Sequence, residues 1–399
     1  MKPFRTSVVA CVLTSVWALA QGDYAASPGS LTAGPSQANT GAAANLRTGL
    51  YGTVMKGNAA ADNTVDDLTK RPHLIEQQYL AGWGGNDLLS AAFNFQAADF
   101  NWFGAAYGGA VPDEVRFGLA SAGHFGAGVM VSLAKFTSED SVGAAARKSK
   151  TVLENDGFGL FGSFALGGAG DVYGEVSVYT GFDDSASGDD NYTRIELSPG
   201  GTSEVTPRLI HVLAGWKKDA TSEGTHSLNA ELILNIGNWE NAPAGGTSVE
   251  RKITDIQLWF YHGYILKDAG SFKVFAGTNS EIAYQDLSWD TEPKDRSALL
   301  IQTTPNMSFQ KTLKHGFEGY AGAGFTLAWL NQKNLPANLD KSSSLVTAGA
   351  DMALGLRWVY ENLAVEGALK DAVLANGPYF IGGNTNQGLF GQVGLTVGF

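Results

Sequence analysis

The chain has one cysteine in 399 residues, Cys11. It lies in a segment expected to be removed on export, so the mature protein is expected to have no thiol. Disulfides, iron–sulfur clusters and cysteine–zinc sites are excluded on that ground. Positive charge is also scarce, with 27 Lys and Arg against 39 Asp and Glu. A nucleic-acid partner needs a basic footprint and is excluded too. Beyond the first twenty residues no apolar run reaches the roughly 20 residues that a membrane helix requires.

Catalytic signatures are missing as well. The sequence has no G-x-S-x-G nucleophile elbow and no H-E-x-x-H zinc motif. His73, His124, His211, His226, His262 and His315 are scattered, with no two at metal-ligand spacing on one strand. No enzyme activity, metal or cofactor is expected. "DDSASGDDNYTR" begins like a calcium loop, with Asp183, Ser185, Ser187 and Gly188 in the leading ligand and turn positions. Arg194 then stands where a bidentate Glu is required, so the motif fails and the stretch reads as a solvated acidic loop.

What the chain does have is glycine, at 51 residues, well above the usual share of about 7%. At the N-terminus, Lys2 and Arg5 precede an apolar stretch from Val8 to Ala20 that ends in Ala18-Leu19-Ala20. This pattern predicts a signal peptide over residues 1–20. Residues 21–45, rich in Ala, Gly, Ser and Pro, are expected to form a flexible leader or a plug segment.

From there on the dominant signal is a two-residue period, which places successive side chains on opposite faces of a strand. In "SLNAELILNIGN", Leu228, Ala230, Leu232, Leu234 and Ile236 share one face. Asn229, Glu231, Asn235 and Gly237 share the other, with Ile233 the exception. "GDVYGEVSVYTGF" sets Val172, Val176 and Val178 against Tyr173, Glu175 and Ser177. The same alternation recurs in 299–313, 345–360 and 363–370. Several of these segments reach the roughly 9–11 residues that a tilted membrane strand needs. Tight connections at 167–170, 267–270, 312–316 and 360–362 take turns with long polar stretches such as "FTSEDSVGAAARKSKTVLEND" and "NQKNLPANLDKSSS". Such alternation is the mark of an up-and-down barrel with short turns on one rim. The chain ends in another alternating segment, "GLFGQVGLTVGF".

On these features the sequence resembles the bacterial outer-membrane β-barrel proteins and is porin-like in size and layout. The resemblance implies an all-β, transmembrane, antiparallel up-and-down barrel over 46–399. It would have 14–16 strands, short periplasmic turns and long extracellular loops. "NLRTGLYGTVM" (45–55) is a candidate sixteenth strand, and 99–116 is ambiguous. The implied partners are outer-membrane lipid, small solutes, and the barrel assembly machinery that reads a C-terminal aromatic strand. A homo-oligomer is compatible with the resemblance.

Parity then selects candidate residues. Lumen-lining candidates are Asn229, Glu231, Asn235, Gln302, Thr304, Asn306, Ser308, Gln310, Asp351, Arg357, Glu366 and Lys370. Candidate membrane-interface aromatics are Trp216, Trp329, Trp358, Tyr360 and Phe399. Trp239 and Trp259 are turned inward by the same parity. A polar interior fits diffusion of small solutes, and the acidic balance would favour cations modestly. Two alternatives stand beside this expectation: a transporter of hydrophobic compounds, and a surface scaffold or adhesin acting through its loops.

Overall fold

In a computed structural model, the described residues lie within 79–398. They exclude 86–87, 110–113, 122, 143–146, 180–191, 199–200, 219–225, 243–248, 290–292, 336–337, 361–362 and 376–386. The expected signal peptide, the leader, the candidate strand 45–55 and Phe399 lie outside them.

The described chain is antiparallel strand almost throughout. Its segments are β1 (Tyr79–Gly85), β2 (Leu88–Ala97), β3 (Phe100–Gly109), β4 (Glu114–Ser121), β5 (Phe125–Val142) and β6 (Arg147–Ala165). They continue as β7 (Asp171–Tyr179), β8 (Tyr192–Ser198), β9 (Gly201–Lys218), β10 (His226–Ala242), β11 (Val249–Asp268) and β12 (Phe272–Trp289). The last five are β13 (Arg296–Thr312), β14 (Phe317–Leu335), β15 (Asn338–Tyr360), β16 (Leu363–Ala375) and β17 (Gln387–Gly398).

Except for β7 and β8, each strand pairs with its neighbour in sequence, and β1 also pairs with β17, from Tyr79↔Gly398 to Gly85↔Gln392. The sheet is therefore closed. Closure gives every strand two partners, which is what a sheet needs where no water can satisfy its backbone. β7 and β8 lie end to end between β6 and β9, so the seventeen segments occupy sixteen positions. The ladder closes on β1 without a strand from 45–55. The ambiguous stretch 99–116 divides into β3 and the start of β4.

An even number of positions brings the start of β1 and the end of β17 to the same end of the barrel, here called proximal. The proximal connections are tight. Ala98 and Asp99 both adopt positive φ between β2 and β3, the primed two-residue turn that matches strand twist. Single 3-10 turns at Gly167–Ala169 and Lys314–Gly316 join β6 to β7 and β13 to β14. At the distal end much of each polar stretch continues as strand. β5 ends at Val142 and β6 begins at Arg147; β14 ends at Leu335 and β15 begins at Asn338. Strands of 18 to 23 residues result. Cross-strand pairing satisfies these polar backbones beyond the length that a membrane requires.

The two faces of the sheet differ as the alternation requires. Leu232, Ile236, Ile256, Leu258, Phe260, Ile282, Ile301, Met307, Phe325, Leu327 and Leu354 are exposed large apolar residues on one face. Their sequence neighbours Ile233, Asn235, Asp255, Gln257, Glu281, Ala283 and Leu300 are buried on the other.

Candidate functional site

Which face looks inward is fixed by one contact. Arg116 on β4 and Glu175 on β7 are separated by β5 and β6, yet their side chains meet at 2.7 Å. Only the concave side of a curved sheet brings strands so far apart together. The buried polar residues share the parity of this pair, so the polar face is the interior and the exposed apolar face is the exterior.

Three adjacent ladder rows organise the interior. The distal row runs Arg116, Met130, Gly159, Ser177, His211, Asn235, Asp255, Gln285. Much of it falls into two hydrogen-bonded groups. Glu175, reaching up from the middle row, accepts from Arg116 at 2.7 Å and from Ser177 at 3.2 Å. His211 Nδ1 lies 2.7 Å from Asn235 Oδ1. Asn235 and Gln257 donate to the same Asp255 oxygen, at 2.9 and 2.7 Å. Polar groups removed from water are costly unless they bond to one another, and these bonds meet part of that demand; Gln285 makes none.

The middle row is mostly apolar: Phe103, Gly118, Gly128, Phe161, Glu175, Leu213, Ile233, Gln257. Phe103 and Phe161 lean toward each other over two adjacent glycines, with ring centroids 6.0 Å apart. A Cβ on Gly118 would lie 2.5 Å from the Phe103 ring, and one on Gly128 would lie 2.5 Å from the Phe161 ring. The missing side chains make the groove that the rings fill. Arg116 lies over the Phe161 ring, 5.2 Å from its centroid.

The proximal row holds Asn101, Ala120, Ser163, Tyr173, Gly215, Glu231, Trp259, Glu281 and Gln302. Tyr173 lies across Gly215 and donates its hydroxyl to Glu231 at 2.5 Å and Asn229 at 2.8 Å. Leu213 and Ile233 pack against it, with Trp259 at the edge. Gln302 donates to Glu281.

The sequence candidates are distributed as follows. Asn235, Ser308, Gln310 and Arg357 are buried, and Asn229, Glu231, Gln302 and Asn306 are half-buried. The structure gathers Asn229 and Glu231 around Tyr173, and joins Asn235 to Asp255. Gln302 meets Glu281. The side chains of Thr304, Asp351, Glu366, Lys370 and Trp239 lie outside the described residues. Ladder register sets Arg357 opposite both Glu318 and Glu366. Parity alone missed Arg116, His211, Asp255, Gln257 and Glu281. All are polar residues at inward positions of strands whose register the sequence does not state.

Of the interface candidates, Trp216, Trp329, Trp358 and Tyr360 are on the exterior. Trp216 donates Nε1–H to the Ala169 carbonyl at 2.9 Å, and Trp358 donates to His315 at 3.2 Å. Both acceptors lie in proximal turns. Trp358 also stacks on Tyr360 at 5.9 Å between centroids. Trp329 lies in the distal half of β14 and donates to Ser344 at 2.8 Å. The exterior also brings together His226 and His262, 36 residues apart in sequence, with ring nitrogens 3.0 Å apart. Among the described residues no three His, Cys, Asp or Glu side chains form a metal-sized group.

No family model matches the sequence, and no curated protein matches it. Among solved structures, the chain is similar to a bacterial polysaccharide outer-membrane secretin at TM-score 0.40 and 10% identity, covering 82% of this chain and 99% of that one. It is similar to the translocator domain of the autotransporter NalP from Neisseria meningitidis at TM-score 0.35 and 10% identity, covering 81% and 89%. CdiB from Acinetobacter baumannii aligns at TM-score 0.39 and 8% identity, over 81% of this chain and 59% of that one. The closed sixteen-position sheet, apolar outside and polar within, has the architecture of an outer-membrane β-barrel.

Proposed function

We propose that the chain is a bacterial outer-membrane barrel through which small polar solutes diffuse, with the three packed inward rows as its narrowest stretch. The observation that carries this reading is the interior network from Arg116 through Glu175, and from His211 to Asp255, set against an exterior of Leu, Ile and Phe. Polar side chains turned inward and apolar ones turned outward are what a barrel with a polar solute path requires. The proximal end then faces the periplasm, and β17 with Phe399 is the segment that an assembly machinery would engage.

The test is reconstitution of the full mature chain in planar lipid bilayers. Ohmic steps, small because the rows are tightly packed, are the expected result. A second reading, transport of hydrophobic compounds, is favoured by the inward cluster of Phe103, Met130, Phe161, Leu213 and Ile233. Silence in the bilayer together with saturable fatty-acid binding would replace the first reading by the second.

A further inference from the structure

Basic side chains gather on one sector of the exterior, at the proximal rim. Lys218 on β9, His226 on β10, His262 and Lys267 on β11 and Lys311 on β13 all take exterior positions by register. Lys218, Leu228, His262, Thr278 and Pro305 share one ladder row, and Lys311 opposite Phe272 lies three exterior rows nearer the proximal end. The strand ends step the same way, from Lys218 on β9 to Thr312 on β13, so these residues follow the rim. Among the described residues, no Asp or Glu takes an exterior position on any strand of the proximal half. Asp268 is held by the Gly270 N–H and Lys273, and Glu318 stands opposite Arg357 on the inner face. Asp219 and Glu223, in the connection after Lys218, lie outside the described residues. Aromatic rings interleave with the basic groups. Tyr264 lies 5.9 Å from both histidine rings between centroids, and Phe272 stacks on Phe309 at 6.3 Å.

Acyl chains offer nothing to an ammonium or an imidazole N–H, so at this edge the partner is a headgroup. Lys218, Lys267 and Lys311 are exposed and make no ion pair among the described residues. The histidines point the same way. His226 Nδ1 and His262 Nε2, 3.0 Å apart, are joined by one proton. Whichever ring donates, the accepting ring carries a proton on its other nitrogen, and that N–H has no acceptor among the described residues. We propose that the β9–β13 sector of the proximal rim binds anionic phospholipid. Lys267 and Lys311 flank one phosphodiester position, and Lys218 with the histidine pair flanks the next. The acyl chains run over the apolar exterior beyond them, past Phe260 and Leu258. The proposal concerns the outer face and stands whether or not solutes pass the interior.

The probes are phosphatidylglycerol and phosphatidylcholine of identical acyl chains, titrated into the refolded full-length barrel in non-ionic detergent and counted as retained lipid by native mass spectrometry. The parent should retain the anionic lipid over the zwitterionic one by about fivefold or more, since each lysine near an anionic surface is worth about that factor. The double variant Lys267→Gln, Lys311→Gln should lower that preference by about fivefold or more. His226→Phe, which keeps a ring beside Tyr264 and removes the shared proton, should lower it in the same direction. Lys252→Gln with Lys333→Gln removes equal charge from exposed exterior positions at the distal end and should leave it unchanged. Each variant is first shown to be folded by its heat-shifted gel mobility. Equal retention of the two lipids by the parent, parental preference in the folded rim double, or the same loss in the distal double overturns the proposal. Conductance is measured separately, and its presence or absence bears on the solute path alone.

Discussion

Arg116 and Glu175 join strands three positions apart, 2.7 Å between Nη1 and Oε2, with each side chain 10% exposed. The contact crosses Met130, Gly159 and Phe161, and it holds the curvature of the wall on the β4–β7 side. Breaking one half of such a pair leaves the other charge buried.

Arg116→Ala should therefore destabilise the barrel by about 3–5 kcal/mol. The double variant Arg116→Met, Glu175→Leu should recover much of that loss, because apolar groups of similar volume carry no desolvation cost. Guanidinium unfolding of Arg116→Met, Glu175→Leu and the double, analysed as a cycle, measures the coupling. Strict additivity would refute it.

Gly118 and Gly128 should tolerate no side chain. At Gly118 a Cβ would lie 2.4 Å from the Ala127 carbonyl oxygen as well as 2.5 Å from the Phe103 ring. Gly118→Val is expected to cost about 1–3 kcal/mol from overpacking and to lower the folded yield on gels. Phe103→Ala in the same chain relieves the ring clash but not the backbone one, so rescue should be partial.

Charge on the two faces should act in opposite ways. Leu258, exposed on the exterior midway along β11, should cost about 2–4 kcal/mol when replaced by Arg in a lipid bilayer. The same replacement should be milder in detergent, where the exterior is less uniformly apolar. Refolding into vesicles and into micelles, compared side by side, checks this. Equal cost in both media would mean that Leu258 does not meet acyl chains.

At the end of β11, Asp268 accepts from the Gly270 backbone N–H at 2.9 Å and pairs with Lys273 at 3.2 Å. The Gly270 bond first, then Lys273, hold its carboxyl below the usual carboxylate range. A depressed folded value means that its contribution is complete above the ordinary carboxylate pKa and is lost as pH falls through the depressed one. Asp268→Asn should therefore be less stable than the parent at neutral pH and indistinguishable from it at about pH 2. Stability curves at several pH values decide the point. A gap that persists in acid would show that the carboxylate charge is not what steadies the turn.

The amino-acid sequence by itself determined the two faces. Leu232 and Ile236 lie outside, and Asn235 and Glu231 inside, because alternation is a property of neighbouring residues in an extended chain and needs no partner. The exterior place of Trp216 and Trp358, and the inward turn of Trp259, follow from the same rule. Ile233, which breaks the alternation, is explained only by its contact with Leu213 and Tyr173. The pairings across strands were not legible. Arg116 with Glu175, Phe103 with Phe161 over two glycines, His226 with His262, and the end-to-end join of β7 and β8 all depend on register. Register is set by every ladder between the partners at once, and it is decided only when β1 closes on β17.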